Sequence, residues 1–141
     1  MSDLARWEHF QHVADVGVRG LGATLAEAFV QAAIALTAVV SDPAAVRSEH
    51  VVDIVAEGED DESLLLAWLD AIIYEMAVRH MLFGRYELDI RGTRGVGRAW
   101  GEAVDAARHE PAVEVKAATY AELSVAQRPD GAWVAQCVVD V

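Results

Sequence analysis

The sequence predicts an α+β fold in which two long helices pack on a mainly antiparallel sheet. Apolar residues recur at helical spacing in two segments, and short apolar or alternating segments separated by turn residues fill most of the rest. The strand-like segments in the second half follow one another with short connections, which favours an antiparallel meander over a doubly wound parallel sheet. No linker, internal repeat or low-complexity stretch interrupts the 141 residues, so residues 1–141 read as a single domain.

Residues 7–13 and 16–20 open the chain as strands. Thr24 then caps a helix and Glu27 completes a T-x-x-E capping box. Leu25, Ala28, Phe29, Ala32, Ala33, Leu36, Val39 and Val40 follow at spacings of three and four until Asp42-Pro43 ends the helix. Residues 50–56 form the next strand. The acidic run Glu57, Glu59, Asp60, Asp61 and Glu62 precedes a second stripe of Leu64, Leu65, Trp68, Leu69, Ile72, Ile73 and Met76. Acids favour the positive end of a helix dipole, so the run reads as a helix start, with a cation site as the alternative. Strands are expected at 82–90, 96–104, 113–125 and 133–141. The separating turns are 91–95, 107–111 and Pro129-Asp130-Gly131, the last a hairpin signal.

Lysine and arginine number 11 against 23 acids, a formal net charge of −12, which argues against direct binding of nucleic acid. Hydrophobic residues make up 54%, so the acidity is not that of a disordered chain. The one cysteine, Cys137, cannot form an internal disulfide and fits a reducing cytoplasm. Asp3, Arg6 and Glu8 precede any long apolar run, so no secretory signal is visible. The uncharged stretch 28–41 includes Gln31 and falls short of the roughly 18 apolar residues that suggest a membrane span. A soluble cytoplasmic protein without membrane association is expected.

Several constellations invite chemistry. Gly92-Thr93-Arg94-Gly95-Val96-Gly97 matches neither nucleotide-loop pattern, and with Arg91 and Arg94 it reads as a tight hairpin. Cys137 shares a strand face with Trp133, Ala135 and Val139 and reads as a small core hydrophobe. Glu8, His9 and His12 resemble a scrambled H-E-x-x-H, but residues three apart in a strand point to opposite faces, which weighs against zinc there. His80 reads as a helix-end histidine. Glu102, Asp105, His109 and Glu110 could meet around one turn as acid and base, although a polar turn in which Asp105 binds backbone amides explains them as well.

The last strand candidate runs into the chain end, placing Asp140 beside the α-carboxylate of Val141. Adjacent carboxylates repel unless a cation, donor or proton intervenes. Asp15, in the loop between the first two strands, is a candidate third oxygen ligand for a hard cation, set against the tendency of termini to face solvent.

The opening W-E-H-F-Q-H-V-A-D-V-G-V-R-G followed by T-L-A-E-A-F resembles the start of the archease family. The resemblance recurs at L-L-L-A-W-L-D near Leu64, at A-W-G-E near Glu102, at R-H-E-P-A-V-E-V-K-A-A-T-Y from Arg108 to Tyr120, and at D-G-A-W-V-A-Q-C-V-V-D-V. It covers nearly the whole chain, with the two end motifs the specific ones. It implies an α/β sandwich elaborated on a strand-helix-strand-strand module. It also implies a protein that is not itself an enzyme and whose partner is an RtcB-type RNA-splicing ligase. Archeases promote GTP-dependent guanylylation of that ligase's active-site histidine and so support its turnover in tRNA splicing or RNA repair. The implied metal site maps to Asp15, Asp140 and Val141, with calcium as the first expectation and manganese or magnesium as alternatives. Many relatives carry histidine after the Thr-Tyr pair, where this chain has Ala121. Two other functions compete: a chaperone-like modulator of RNA-modifying enzymes such as methyltransferases, and a small metal-dependent hydrolase using Glu102, Asp105 and His109.

Overall fold

The computed structural model describes residues 2–141. Its strands are β1 (Arg6–His12), β2 (Asp15–Gly22), β3 (His50–Glu57), β4 (Met81–Arg91), β5 (Arg94–Ala103), β6 (Ala117–Ala118), β7 (Ser124–Gln127) and β8 (Trp133–Asp140). The helices are α1 (Leu25–Val40), α2 (Asp61–Arg79) and the short α3 (Ala106–His109), with a single 3-10 turn at Pro43–Ala45.

Each helix start follows from its sequence. Thr24 caps α1 by accepting from the Glu27 amide at 3.1 Å. The Glu27 carboxylate reaches back to the Ala23 amide at 2.9 Å, one residue earlier than the expected capping box would place it. At α2 the acidic run is a helix start, because Asp60 accepts from the Ser63 amide while the Ser63 hydroxyl accepts from the Asp60 amide. His80 ends α2 in the left-handed region at φ 52°.

All strand pairing is antiparallel, but it divides into two sheets where the sequence suggested one. One sheet has the order β1-β2-β8-β6, with β7 also paired to β8; the other is β3-β5-β4. The meander expectation therefore holds for the β4–β5 hairpin and for the β7–β8 hairpin at Pro129-Asp130-Gly131, and fails between them, since β8 also crosses to the N-terminal hairpin. The expected strand at 113–125 is also replaced by β6, β7 and a turn. Within that turn the Thr119 hydroxyl bonds the Val138 carbonyl, Leu123 N–H returns to the Tyr120 carbonyl, and Glu122 adopts φ 54°.

Both helices touch both sheets. Helix α1 packs on β1, β2 and β8 from one side and on β4 from the other, and α2 packs on β3, β4, β5, β6 and β7. That position explains why α1 is buried on most of its circumference, with even Gln31 and Thr37 enclosed. Small residues permit the close approach. A methyl group at Gly20 would lie 2.1 Å from the Ala28 carbonyl and 2.2 Å from the Ala32 amide of α1. The even-numbered residues of β2 thus face α1. One apolar cluster joins Phe29 and Leu36 of α1, Trp68 and Leu69 of α2, Phe83 of β4 and Val139 of β8. The Trp68 indole N–H donates to the Phe29 carbonyl at 3.0 Å, which ties the helices together and satisfies the buried ring nitrogen. No described helix is long and apolar enough to cross a membrane.

Candidate functional site

The two aspartates singled out from the sequence lie at the same end of the larger sheet. Strands β1 and β2 form a hairpin whose connection is only Val13-Ala14, so Asp15 is already a strand residue, directly opposite His12. On the other side of β2, Val16 pairs with Val139, and the next opposite pair in that register is Asp15 with Asp140. Directly opposite residues of antiparallel strands project to the same face. His12, Asp15 and Asp140 therefore form a row across three neighbouring strands, on the face turned away from α1.

The backbone fixes this row from both sides. Lys116 N–H donates to the Asp140 carbonyl at 2.8 Å, and Ala117 of β6 pairs with Asp140. The next residue, Ala118, donates its amide to the Asp70 carboxylate of α2 at 2.9 Å. The Val141 side chain packs against the apolar core, so the residue after Asp140 is anchored as well. Asp15 is half-buried and Asp140 exposed. None of the ion pairs among the described residues involves either carboxylate. Two like charges on adjacent strands without a cationic side chain suit a divalent ion, and oxygen donors suit a hard one. Among the described residues no three His, Cys, Asp or Glu side chains already form a cluster able to hold an ion. A complete oxygen set at this row thus calls on the Val141 carboxylate and on side-chain rotation.

The other candidates resolve into structural roles. Glu102 is 4% exposed and His109 4%. Glu102 accepts from the Arg47 amide at 2.7 Å, from the Arg108 guanidinium, and from His109 Nε2 at 3.0 Å. Arg108 above all, with the Arg47 amide and His109, holds this carboxyl down to about 2 despite its burial. Asp105 caps α3 by accepting from the Ala107 and Arg108 amides, as the polar-turn reading expected. Both Glu102 oxygens are thus committed to structural partners, and the Asp105 Oδ1 to the helix cap, which gives these residues an architectural part in place of the one the hydrolase hypothesis assigns them.

His9 Nε2 lies 2.7 Å from the Ala35 carbonyl, whereas His12 is on the opposite face of β1, so the two do not converge on a metal. Cys137 is fully buried, and its thiol is pushed up to about 12 by that burial, far from a nucleophilic thiolate. Arg91 and Arg94 flank a two-residue turn in which Gly92 has φ 62°, a hairpin as expected.

Residues 7–141 match the model of the Archease protein family (MTH1598/TM1083). The chain belongs to the archease family. Protein archease of Pyrococcus furiosus is 40% identical over 142 residues, covering 98% of this chain and 100% of that one. Protein archease of Methanopyrus kandleri is 40% identical over 139 residues, covering 96% and 99%. Among solved structures, protein 1598 of Methanobacterium thermoautotrophicum superposes with a TM-score of 0.74 at 29% identity, covering 96% of this chain and 98% of that one. An archease from Thermotoga maritima, described as a possible chaperone, gives a TM-score of 0.61 at 15% identity over 94% of each chain, a likeness of fold alone.

Placed on this archease fold, some residues carry roles that spacing did not show. Asp70 ends the L-L-L-A-W-L-D motif and secures the strand beside Asp140, a link that needs the tertiary structure to be seen. His12 was read as half of an unsuitable zinc pair. Its partner in space is Asp15, and the brevity of the Val13-Ala14 turn was the available signal.

Proposed function

We propose that this protein is a non-catalytic activator of an RtcB-type RNA ligase, promoting GTP-dependent guanylylation of the ligase's active-site histidine and its repeated turnover. The observation that carries the reading is the β2–β8 register, whose end pair Val16 with Val139 leaves Asp15 and Asp140 as the next residues at the same sheet end, beside Val141, in a chain of the archease family. In this reading Asp15, Asp140 and the Val141 carboxylate hold a divalent cation, with calcium, manganese and magnesium all compatible with an oxygen set. The bound cation supplies positive charge on an otherwise acidic surface and open coordination positions for donors of the partner. The protein's part is placement: β2 and β8 set the two aspartates side by side, and β6 with Asp70 keeps the end of β8 from fraying.

The net charge of −12 fits a partner whose nucleotide- and RNA-binding surface is basic, and attraction of that kind speeds encounter. The test mixes this protein with a matched RtcB-type ligase, GTP and Mn²⁺, following the ligase–nucleotide adduct and multiple-turnover joining of RNA ends. Stimulation of both is expected, and its absence would retire the proposal. Asp140→Ala, or a residue appended after Val141, should weaken cation binding by calorimetry and diminish the stimulation.

The alternative reading is a broader, chaperone-like modulator of RNA-modifying enzymes such as methyltransferases. It predicts several unrelated partners captured at similar strength, where the activator reading predicts one dominant ligase.

A further inference from the structure

The two edges of the smaller sheet are finished differently. On the edge strand β4 every exposed side chain is charged, and Arg85 and Arg91 pair with Glu87 and Asp89 at 3.2 and 3.1 Å. Charges of that kind guard an edge against added strands. The opposite edge strand, β3, instead alternates apolar and acidic residues on its exposed face, as Val51, Asp53, Val55 and Glu57. Val51 is opposite Trp100 and Val55 opposite Val96 of β5, so two apolar rows cross the face and stop at this edge. Val51, Val55 and Val96 are 53%, 50% and 46% exposed. The backbone along the edge is turned outward as well. Gly58 N–H donates to the Thr93 carbonyl at 3.0 Å, and in this register the even-numbered residues of β3 bond to β5. The N–H and C=O groups of Val51, Asp53 and Val55 therefore point away from the sheet.

We propose that the β3 edge binds an extended segment of a partner protein by antiparallel strand addition, and that this segment alternates apolar and basic side chains on the face it shares with Val51 and Asp53. Main-chain bonds along the edge supply affinity, and the alternating side chains supply selection. An apolar residue opposite Val51 or Val55 extends a row that already contains Trp100 or Val96. A basic residue opposite Asp53 meets a carboxylate whose side chain is 86% exposed and whose pairing with Arg98 is long, at 3.7 Å. A second copy of this chain is the wrong occupant. The register that sets Val51 opposite Val55 of another β3 also sets Asp53 opposite Asp53, where like charges repel. The inference is independent of the cation site, which belongs to the larger sheet.

The experiment titrates the full chain into a fluorescent peptide in which Val and Arg take turns at the odd positions and Thr fills the even ones. One control peptide has Glu in place of Arg, and another is N-methylated at its Val and Arg residues, which removes the donors that would face β3. Anisotropy reads binding, and amide hydrogen exchange followed by NMR reads where it occurs. The Arg peptide should bind at least tenfold more tightly than either control and slow exchange of the Val51, Asp53 and Val55 amides at least tenfold. Asp53→Lys should reverse the preference between the Arg and Glu peptides. Asp53→Asn, which keeps the size of the side chain, should remove most of that preference. No binding of the Arg peptide, equal binding of the Arg and Glu peptides, or unchanged exchange at the three amides under saturating peptide overturns the proposal. Protection of the same amides that grows with protein concentration in the absence of peptide assigns the edge to a second copy and overturns it too.

Discussion

His109 points a proton at Glu102. Its Nδ1 accepts the Asp105 amide at 2.8 Å, which leaves Nε2 as the protonated nitrogen, 3.0 Å from a Glu102 oxygen. The same carboxylate also receives Arg108 and the Arg47 amide, so one buried anion fastens α3, the end of β5 and the segment after the 3-10 turn. The histidine and acid first considered for catalysis form a clamp.

That clamp predicts how stability responds to acid. The Glu102 pKa is lowered on folding from the ordinary 4.5 to about 2. The unfolded chain therefore takes up a proton first, so the stability gained from this group is present above about pH 4.5 and is lost as pH falls towards 2. Urea unfolding of the wild type should show this decline. Glu102→Gln should be less stable near neutrality and show a shallower dependence on pH across the same window.

Asp70 is expected to act on the proposed cation site without being a ligand. Asp70→Ala removes the acceptor for the Ala118 amide and should cost about 1 kcal/mol. It should also weaken cation binding several-fold, because the strand beside Asp140 loses its tether. Asp70→Asn retains an acceptor oxygen and should restore both, as read by denaturant unfolding and calorimetry.

Gly20 tests the contact between α1 and the larger sheet. A methyl group there meets backbone atoms of α1 and not a movable side chain, so Gly20→Ala should destabilise by about 3 kcal/mol or more. Thermal unfolding measures it. A melting temperature within a degree of the wild type would contradict the packing described.

Trp68→Ala should cost about 4 kcal/mol, combining the cavity left by a fully buried ring with the loss of its bond to the Phe29 carbonyl. Trp68→Phe should cost less but leave that carbonyl without its donor. Chemical denaturation of the two variants separates the volume from the hydrogen bond.

The local signals were legible in the sequence because they act over a few residues. Thr24, the acidic run from Glu57 to Glu62 and the Gly92 turn mark where helices begin and a hairpin closes, and the structure places all three as expected, with Asp60 of the run as the cap. What pairs with what was not legible. Nothing local tells β8 to leave the β4–β5 hairpin and join β2, a choice made by the apolar faces that α1 must cover on both sides. The break in 113–125 was equally hidden, since Thr119 ends the strand by bonding Val138, a residue far along the chain. At the candidate site, Asp15 and Asp140 were nominated from the chain end and the family motifs. Their alignment with His12 depends on strand register, which alternating residues by themselves do not fix.

The β2–β8 pairing has a consequence for how the protein is made. Because β8 joins β2 across most of the chain's length, the β1–β2 hairpin emerges from the ribosome with one edge bare. That edge stays available to strands of other nascent chains until synthesis has nearly finished. Closing so large a loop is slow compared with forming the local β4–β5 hairpin, so the smaller sheet has time to assemble first. The two aspartates can come together only once β8 has paired with β2, so a chain that stalls before residue 133 has a hairpin but no candidate site.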